Sequence, residues 1–179
     1  MSLLLATLIP GLLLIALGVP LLLNSAGYAA MLRTLPRSTA AGNVFFTIGA
    51  AWFIYNIAHL GEADLIIPKS YMLAAFALIA VLSLIYMREF LAVRGLAALV
   101  LVGAMPLLDA GYMNFEHAQI VLYKIAVYLG ITAAIWLAAQ PWRLRDFFGW
   151  MLAMPTRTRA VGGALTTFGV LLAAVAFTY

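Results

Sequence analysis

The sequence predicts an all-α, polytopic integral membrane protein with six transmembrane helices arranged as three hairpins and with short helices in the cytoplasmic interface. Hydrophobic residues make up 66% of the chain and charged residues only 9%, whereas a soluble domain carries about 25% charged residues. The apolar residues fall in long runs, and most basic residues fall in alternate connectors between them. A water-soluble fold of 179 residues cannot bury so much apolar surface. The whole chain, 1–179, is therefore predicted to be one transmembrane domain.

Six apolar runs approach the roughly 20 residues that a helix needs to cross the hydrocarbon core. None alternates like a strand, and backbone groups in lipid need partners within the segment, so each run is predicted to be a helix. The predicted spans are Leu3 to Leu23, Gly42 to His59, Ile67 to Met87, Gly95 to Asp109, Ala118 to Ala139 and Ala160 to Tyr179.

The first span contains Pro10 and Pro20, which predict kinks. An alternative is a secretory signal cleaved near Ser25-Ala26-Gly27. No positive charge precedes the run and its apolar stretch is long for a signal, so a retained span is favoured.

The second span carries Trp52, Asn56 and His59, which are spaced four and then three residues apart. This spacing places them on one face of a helix, and we expect that face at the outer side of the membrane. The third span follows with Lys69 close to its start.

The last three spans carry residues that affect packing or charge. Pro106 predicts a kink in the fourth span, and Lys124 lies about six residues into the fifth, roughly 9 Å below the outer surface. Glycines at 162, 163 and 169 in the sixth span let helices approach closely.

The basic residues predict the orientation, because Lys and Arg in short connectors are retained on the cytoplasmic side. Only Lys69 and Lys124 depart from the pattern among the ten basic residues. The chain is therefore predicted to lie in the inner (plasma) membrane with both termini outside. The remaining eight basic residues lie in three connectors predicted to be cytoplasmic: Arg33, Arg37, Arg88, Arg94, Arg143, Arg145, Arg157 and Arg159.

Two of these connectors show helical spacing of apolar residues. In the last, one side is apolar and the other carries Arg143, Arg145 and Asp146, which predicts a short helix lying in the interface. Trp142 and Trp150 are expected at headgroup level. Such helices anchor a bundle or dock a partner subunit. The apolar residues are Leu144, Phe147, Phe148, Met151 and Leu152, and in the first connector Tyr28, Met31, Leu32 and Leu35.

The first and last connectors also resemble each other in sequence. Arg37, Gly42 and Gly49 correspond to Arg157, Gly162 and Gly169 at a constant offset of 120 residues. The match indicates an internal repeat of three parallel hairpins, related by an axis along the membrane normal. A chance likeness between apolar hairpins is the alternative.

Several polar residues form a candidate ligand-binding or proton site at the outer side. Lys124 leads them, because an ionisable group at membrane depth indicates function. A lysine at this depth can snorkel its amine to the headgroups, and neutralisation by Asp109 in an ion pair is the alternative. The other members are Asn56, His59, His117, Glu116 and Tyr112, with Glu62 and Asp64 on the same rim.

No cofactor or metal is predicted, although His59 and His117 offer two axial ligands for a haem as an alternative. The chain lacks His-Glu-x-x-His, a Walker loop and aspartate-rich pairs, and it has no cysteine. These motifs are the ones that metal-dependent, nucleotide-dependent or thiol chemistry would use. No catalytic residue is therefore predicted. The net charge of +4 is attributed to topology, and nucleic acid is not an expected partner.

The expected function is that of a non-catalytic subunit or scaffold of a larger membrane complex. Its expected partners are the lipid bilayer and other membrane subunits, or further copies of itself. The alternative is a small transporter or channel-like protein with an outward vestibule around Asp109, Lys124, Asn56 and His59. A membrane enzyme or redox protein is the third possibility.

Overall fold

A computed structural model describes residues 1–61, 67–114 and 116–179. Within these residues the chain forms helices joined by turns and contains no strand, which confirms the predicted all-α class. Six of the helices are long and apolar enough to cross a membrane, as predicted. The helices are α1 (Leu3–Leu22), α2 (Ala26–Thr34), α3 (Thr39–Ala58), α4 (Lys69–Tyr86), α5 (Leu91–Asp109), α6 (Ile120–Ala139), α7 (Trp142–Met151) and α8 (Pro155–Ala176), with a 3-10 turn at Leu35–Arg37.

Three spanning helices begin earlier than the apolar runs. α3 starts at Thr39 because the Ser38 hydroxyl accepts from the Ala41 N–H at 3.2 Å, which is an N-cap. α8 starts with Pro155 at its first position, where the missing N–H leaves no bond unmade. Local caps, and not the edge of the apolar run, set these starts.

The tightest pairing joins α1 to α8 in antiparallel orientation. A Cβ at Gly18 would lie 2.8 Å from the Gly162 carbonyl oxygen, and one at Gly169 would lie 2.7 Å from the Gly11 carbonyl oxygen. Larger residues would not fit at these contacts. Close backbone approach of this kind is how helices associate in lipid.

The second extensive pairing joins α3 to α5 in parallel orientation. A Cβ on Gly42 would lie 3.0 Å from the Ala92 backbone nitrogen, and one on Gly95 would collide with the Phe46 backbone nitrogen. α5 also packs on α6, while α4 packs on α3. The bundle core at one end contains Ala6, Ala104, Ile120, Tyr123, Val127 and Leu172.

The two helices of each predicted hairpin are not the helices that pack together most extensively. In the described part of the chain, α1 with α3, α4 with α5 and α6 with α8 are absent from the extensively packed pairs. Hydropathy locates membrane crossings, but the glycine-lined surfaces decide which helices fit against each other. The repeat itself stays a prediction, although its four glycines, at 42, 49, 162 and 169, are all buried.

The first and last basic connectors fold as the short helices α2 and α7. Leu32 and Met151 are buried together, and the Arg33 guanidinium donates to the Leu152 carbonyl at 3.2 Å. Burial raises the pKa of the Tyr28 hydroxyl in α2 above its usual value, because desolvation disfavours the charged phenolate. The two connectors thus contact each other, while their place in the membrane interface stays a prediction.

Candidate functional site

A lateral cleft of about 780 Å³ lies between α3, α4 and α5. It exists because α4 packs on α3 but not extensively on α5, and α4 has no buried residue. Its volume falls in the range of small-molecule sites, about 300–1,000 Å³. We call it the α3–α5 cleft. Its lining includes Phe46, Ala50, Phe53, Phe76, Ala80 and Met105.

Asn56 and His59 line one end of the α3–α5 cleft. The His59 Nδ1 lies 2.8 Å from the Tyr55 carbonyl oxygen. A carbonyl only accepts, so Nδ1 carries a proton and donates it. Nearby, the Lys69 ammonium donates to the Ala58 carbonyl at 3.1 Å and ties the start of α4 to the end of α3.

Lys124 is directed to the turn after α5. Its ammonium donates to the Gly111 carbonyl at 3.1 Å. Within the described residues the only ion pair joins Arg145 to Asp146, at 2.7 Å, so the Asp109 carboxylate does not pair with Lys124. A stem that runs from α6 to a turn at the end of the bundle is the geometry of a snorkelling lysine.

The two histidines contact different neighbours. The ring of His117 lies 5.3 Å from that of Tyr179, and the Tyr179 hydroxyl accepts from the Thr7 hydroxyl at 3.3 Å. His117 therefore belongs to the α1–α8 end of the molecule, while His59 lines the α3–α5 cleft. No principal cavity in the described part of the chain is lined by both imidazoles.

The remaining residues of the predicted ligand-binding or proton site are exposed polar groups. Tyr112 is 79% exposed and Glu116 is exposed as well. Glu62 and Asp64 lie outside the described residues. The polar groups predicted to share one vestibule are therefore divided between the cleft, the turn after α5 and the end of α8.

No sequence pattern predicts that the Tyr123 hydroxyl is buried without a hydrogen-bond partner. It is 0% exposed, and its hydroxyl has no hydrogen-bond partner among the described residues. Gly111 packs against this hydroxyl so closely that a Cβ there would collide with it. The sequence draws attention to this turn only through its neighbours Lys124, Asp109 and Tyr112.

Three arginines line the cavities that follow the Phe46 and Ala80 end of the α3–α5 cleft, although none of them lines the cleft itself. We call Arg37, Arg88 and Arg94 the arginine rim. Arg88 lines three adjoining cavities of about 490 to 510 Å³, shared in one case with Arg37 and in another with Arg94. Glu89 also lines two of them. From the sequence alone, these arginines predict only the orientation of the chain in the membrane.

Phe90 shapes the arginine rim. Its φ of 56° lies in the left-handed region, which is uncommon for a bulky residue. This backbone places the Phe90 ring 5.8 Å from the Arg37 guanidinium, a cation–π distance. The 3-10 turn and the connector before α5 are joined by this contact.

The other predicted interface residues lie in the last connector. Arg143 donates to the Gln140 side chain at 3.0 Å, and Trp142 lines a cavity with Arg94. The Arg157 guanidinium lies 5.0 Å from the centre of the Trp150 ring. These contacts order the connector around α7.

The chain matches no known protein family, no curated protein and no solved structure. A functional proposal therefore depends on its own residues.

Proposed function

We propose that this chain is a non-catalytic subunit of a larger complex in the inner (plasma) membrane, and that α4 packs against a transmembrane helix of the complex. The observation that carries the proposal is the lack of buried residues in α4. It has no buried residue, whereas each other spanning helix buries at least three. Helices in lipid are held by close packing, and among the described residues α4 packs extensively only on α3.

The exposed face of α4 suits a second helix. Tyr71, Ala75, Leu78 and Leu82 recur at spacings of four, three and four residues, and all are exposed, so they form one stripe. Small residues such as Ala75 let a neighbouring helix approach. The stripe faces away from α3, so a partner can lie on it without disturbing the bundle.

The proposed topology places both termini outside and the three basic connectors in the cytoplasm, with α2 and α7 as interfacial helices. The distribution of arginines supports it. On this topology the arginine rim faces the cytoplasm, and Asn56 and His59 lie near the outer surface.

The proposal is tested by purifying the tagged full chain from its native membrane in mild detergent and weighing the particles by native mass spectrometry. We expect a complex of fixed composition, either with other membrane subunits or with further copies of this chain. Ala75→Phe is expected to release the partner, because a phenyl ring holds helices apart. Ala133→Phe on the exposed face of α6 is the matched control and is expected to retain it. A lone chain in the wild-type preparation would refute the proposal, and so would equal partner loss in both variants.

A further inference from the structure

We infer that the α3–α5 cleft and the arginine rim together bind one anionic phospholipid, with its phosphate at Arg37 and Arg88 and an acyl chain along the cleft. The inference concerns the chain by itself and does not rest on the proposed function. It assigns a ligand to a space that the fold leaves open between α4 and α5.

The rim supplies the charge for a phosphate. Its three arginines outnumber Glu89, the acidic residue among them, and none of the three forms an ion pair within residues 1–61, 67–114 and 116–179. Guanidinium groups suit phosphate oxygens because their N–H donors match them in pairs. Basic pockets between transmembrane helices are typical sites for anionic headgroups.

The space next to the rim suits the glycerol region of a phospholipid. A cavity of about 500 Å³ is lined by Arg88 together with Thr39, Asn43 and Thr47. Hydroxyl and amide groups donate hydrogen bonds to ester carbonyls. Polar side chains along one face of α3 thus continue from the arginines for about two turns into the membrane.

Beyond this polar stretch the cleft is apolar. On α3 the lining passes from Thr47 to Ala50 and Phe53, and on α4 it passes from Leu84 to Ala80 and Phe76. From Thr47 to Ile57, which both line this space, a helix rises roughly 15 Å, which matches the ~15 Å half-thickness of the hydrocarbon core. An acyl chain of the leaflet next to the rim therefore has room along its whole length.

A basic rim followed by an apolar cleft fits an amphiphile better than a free anion or an apolar helix. A free anion would use the rim and leave the cleft empty. A transmembrane helix would use the cleft, but it would leave three arginines without a counter-charge. A phospholipid with a net negative headgroup satisfies both ends at once.

The test uses the purified full-length chain in detergent, titrated with dioleoyl phosphatidylglycerol or dioleoyl phosphatidylcholine and followed by native mass spectrometry. The two lipids share their acyl chains and differ in headgroup charge. We expect one phosphatidylglycerol to bind in preference to phosphatidylcholine. Arg88→Gln should weaken its binding about fivefold, the typical contribution of one basic residue to anionic lipid binding. Arg159→Gln, an equal loss of charge at an exposed arginine of another connector, should leave binding unchanged.

A second pair of variants tests the cleft without changing charge. Ala80→Phe fills the cleft and should abolish the bound lipid, while Ala133→Phe on α6 should not. Glycerol 1-phosphate, which has a phosphate but no acyl chain, should fail to compete. The inference is overturned if the two lipids bind equally, if glycerol 1-phosphate competes as well as the lipid, if Arg159→Gln weakens binding as much as Arg88→Gln, or if Ala80→Phe binds lipid normally.

Discussion

The buried hydroxyl groups of Tyr123 and Thr158 differ in their hydrogen bonding. The Thr158 hydroxyl donates to the Met151 carbonyl at 3.0 Å, while the Tyr123 hydroxyl has no partner among the described residues. A buried polar group without a hydrogen bond is destabilising, whereas a buried bonded one is mildly stabilising. The two hydroxyls are therefore expected to contribute to stability with opposite sign.

We predict that Tyr123→Phe raises the free energy of unfolding by roughly 1 kcal/mol, because it removes an unmet hydroxyl and keeps the ring. Thr158→Val should lower it by a similar amount. Both are measured by equilibrium unfolding of the purified protein in mixed SDS micelles. Equal destabilisation by the two substitutions would show that the Tyr123 hydroxyl has a partner after all.

Single residues also show the limit of sequence reasoning about the site. The depth of Lys124 predicted a side chain under electrostatic constraint, and its amine does have a specific acceptor. That acceptor, the Gly111 carbonyl, belongs to a turn whose backbone direction no side-chain pattern specifies. The alternative partner Asp109 lies two residues earlier in sequence, and its carboxylate does not pair with Lys124.

At the scale of the helices, Gly162 and Gly163 allow the effect of helix packing on stability to be distinguished from the effect of helix propensity. A Cβ on Gly162 would collide with the Leu22 backbone nitrogen, whereas one on Gly163 would lie 3.7 Å from the Leu22 side chain, an ordinary contact. Both glycines lie in the same helix, one residue apart. Any difference between their alanine variants must therefore come from the α1–α8 contact.

We predict that Gly162→Ala destabilises the protein by about 1–3 kcal/mol, since it forces apart two closely packed backbones. Gly163→Ala should be neutral or stabilise it by up to about 1 kcal/mol, since alanine is the better helix former. The measurement is the same SDS unfolding equilibrium. Similar losses in both variants would mean that α1 and α8 are not held together at Gly162.

The number and approximate positions of the spanning helices were predictable because each needs a long apolar run. Their pairing was not, since these helices are apolar on most sides and hydropathy does not say which side meets another helix. Glycines carried part of that information. Gly42 and Gly162 correspond in the proposed repeat, yet one contacts a parallel helix and the other an antiparallel one, so their spacing alone does not give the partner.

At the scale of the whole molecule, the α3–α5 cleft arises because α4 and α5 are not extensively packed in the described part of the chain. Asn56 and His59 were predicted to share one face of a helix, and they do line one end of this space. The space itself depends on α4 lying against α3 without extensive packing on α5, which no local pattern encodes. The arginine rim likewise becomes a candidate site only when Arg37 and Arg88, far apart in sequence, line one cavity.

The proposed orientation of the whole chain rests on its arginines, and two single cysteines test it. The natural chain has no cysteine, so each introduced thiol reports one place. Tyr112 is 79% exposed in the connector between α5 and α6, and the Asp146 side chain is 50% exposed in α7. With a membrane-impermeant maleimide, we predict that Tyr112→Cys is labelled in intact cells and that Asp146→Cys is labelled only after permeabilisation.

The physical reason is that Arg143 and Arg145 directly precede Asp146 in a short connector, and arginines there resist transfer across the membrane. Both cysteines should be labelled equally in detergent, which controls for their reactivity. Labelling of Asp146→Cys from outside would invert all six spans together. The arginine rim would then face the outer leaflet, and Asn56 and His59 would face the cytoplasm, although the lipid titration in detergent would give the same result. The proposed topology and the proposed lipid binding are therefore tested by separate measurements.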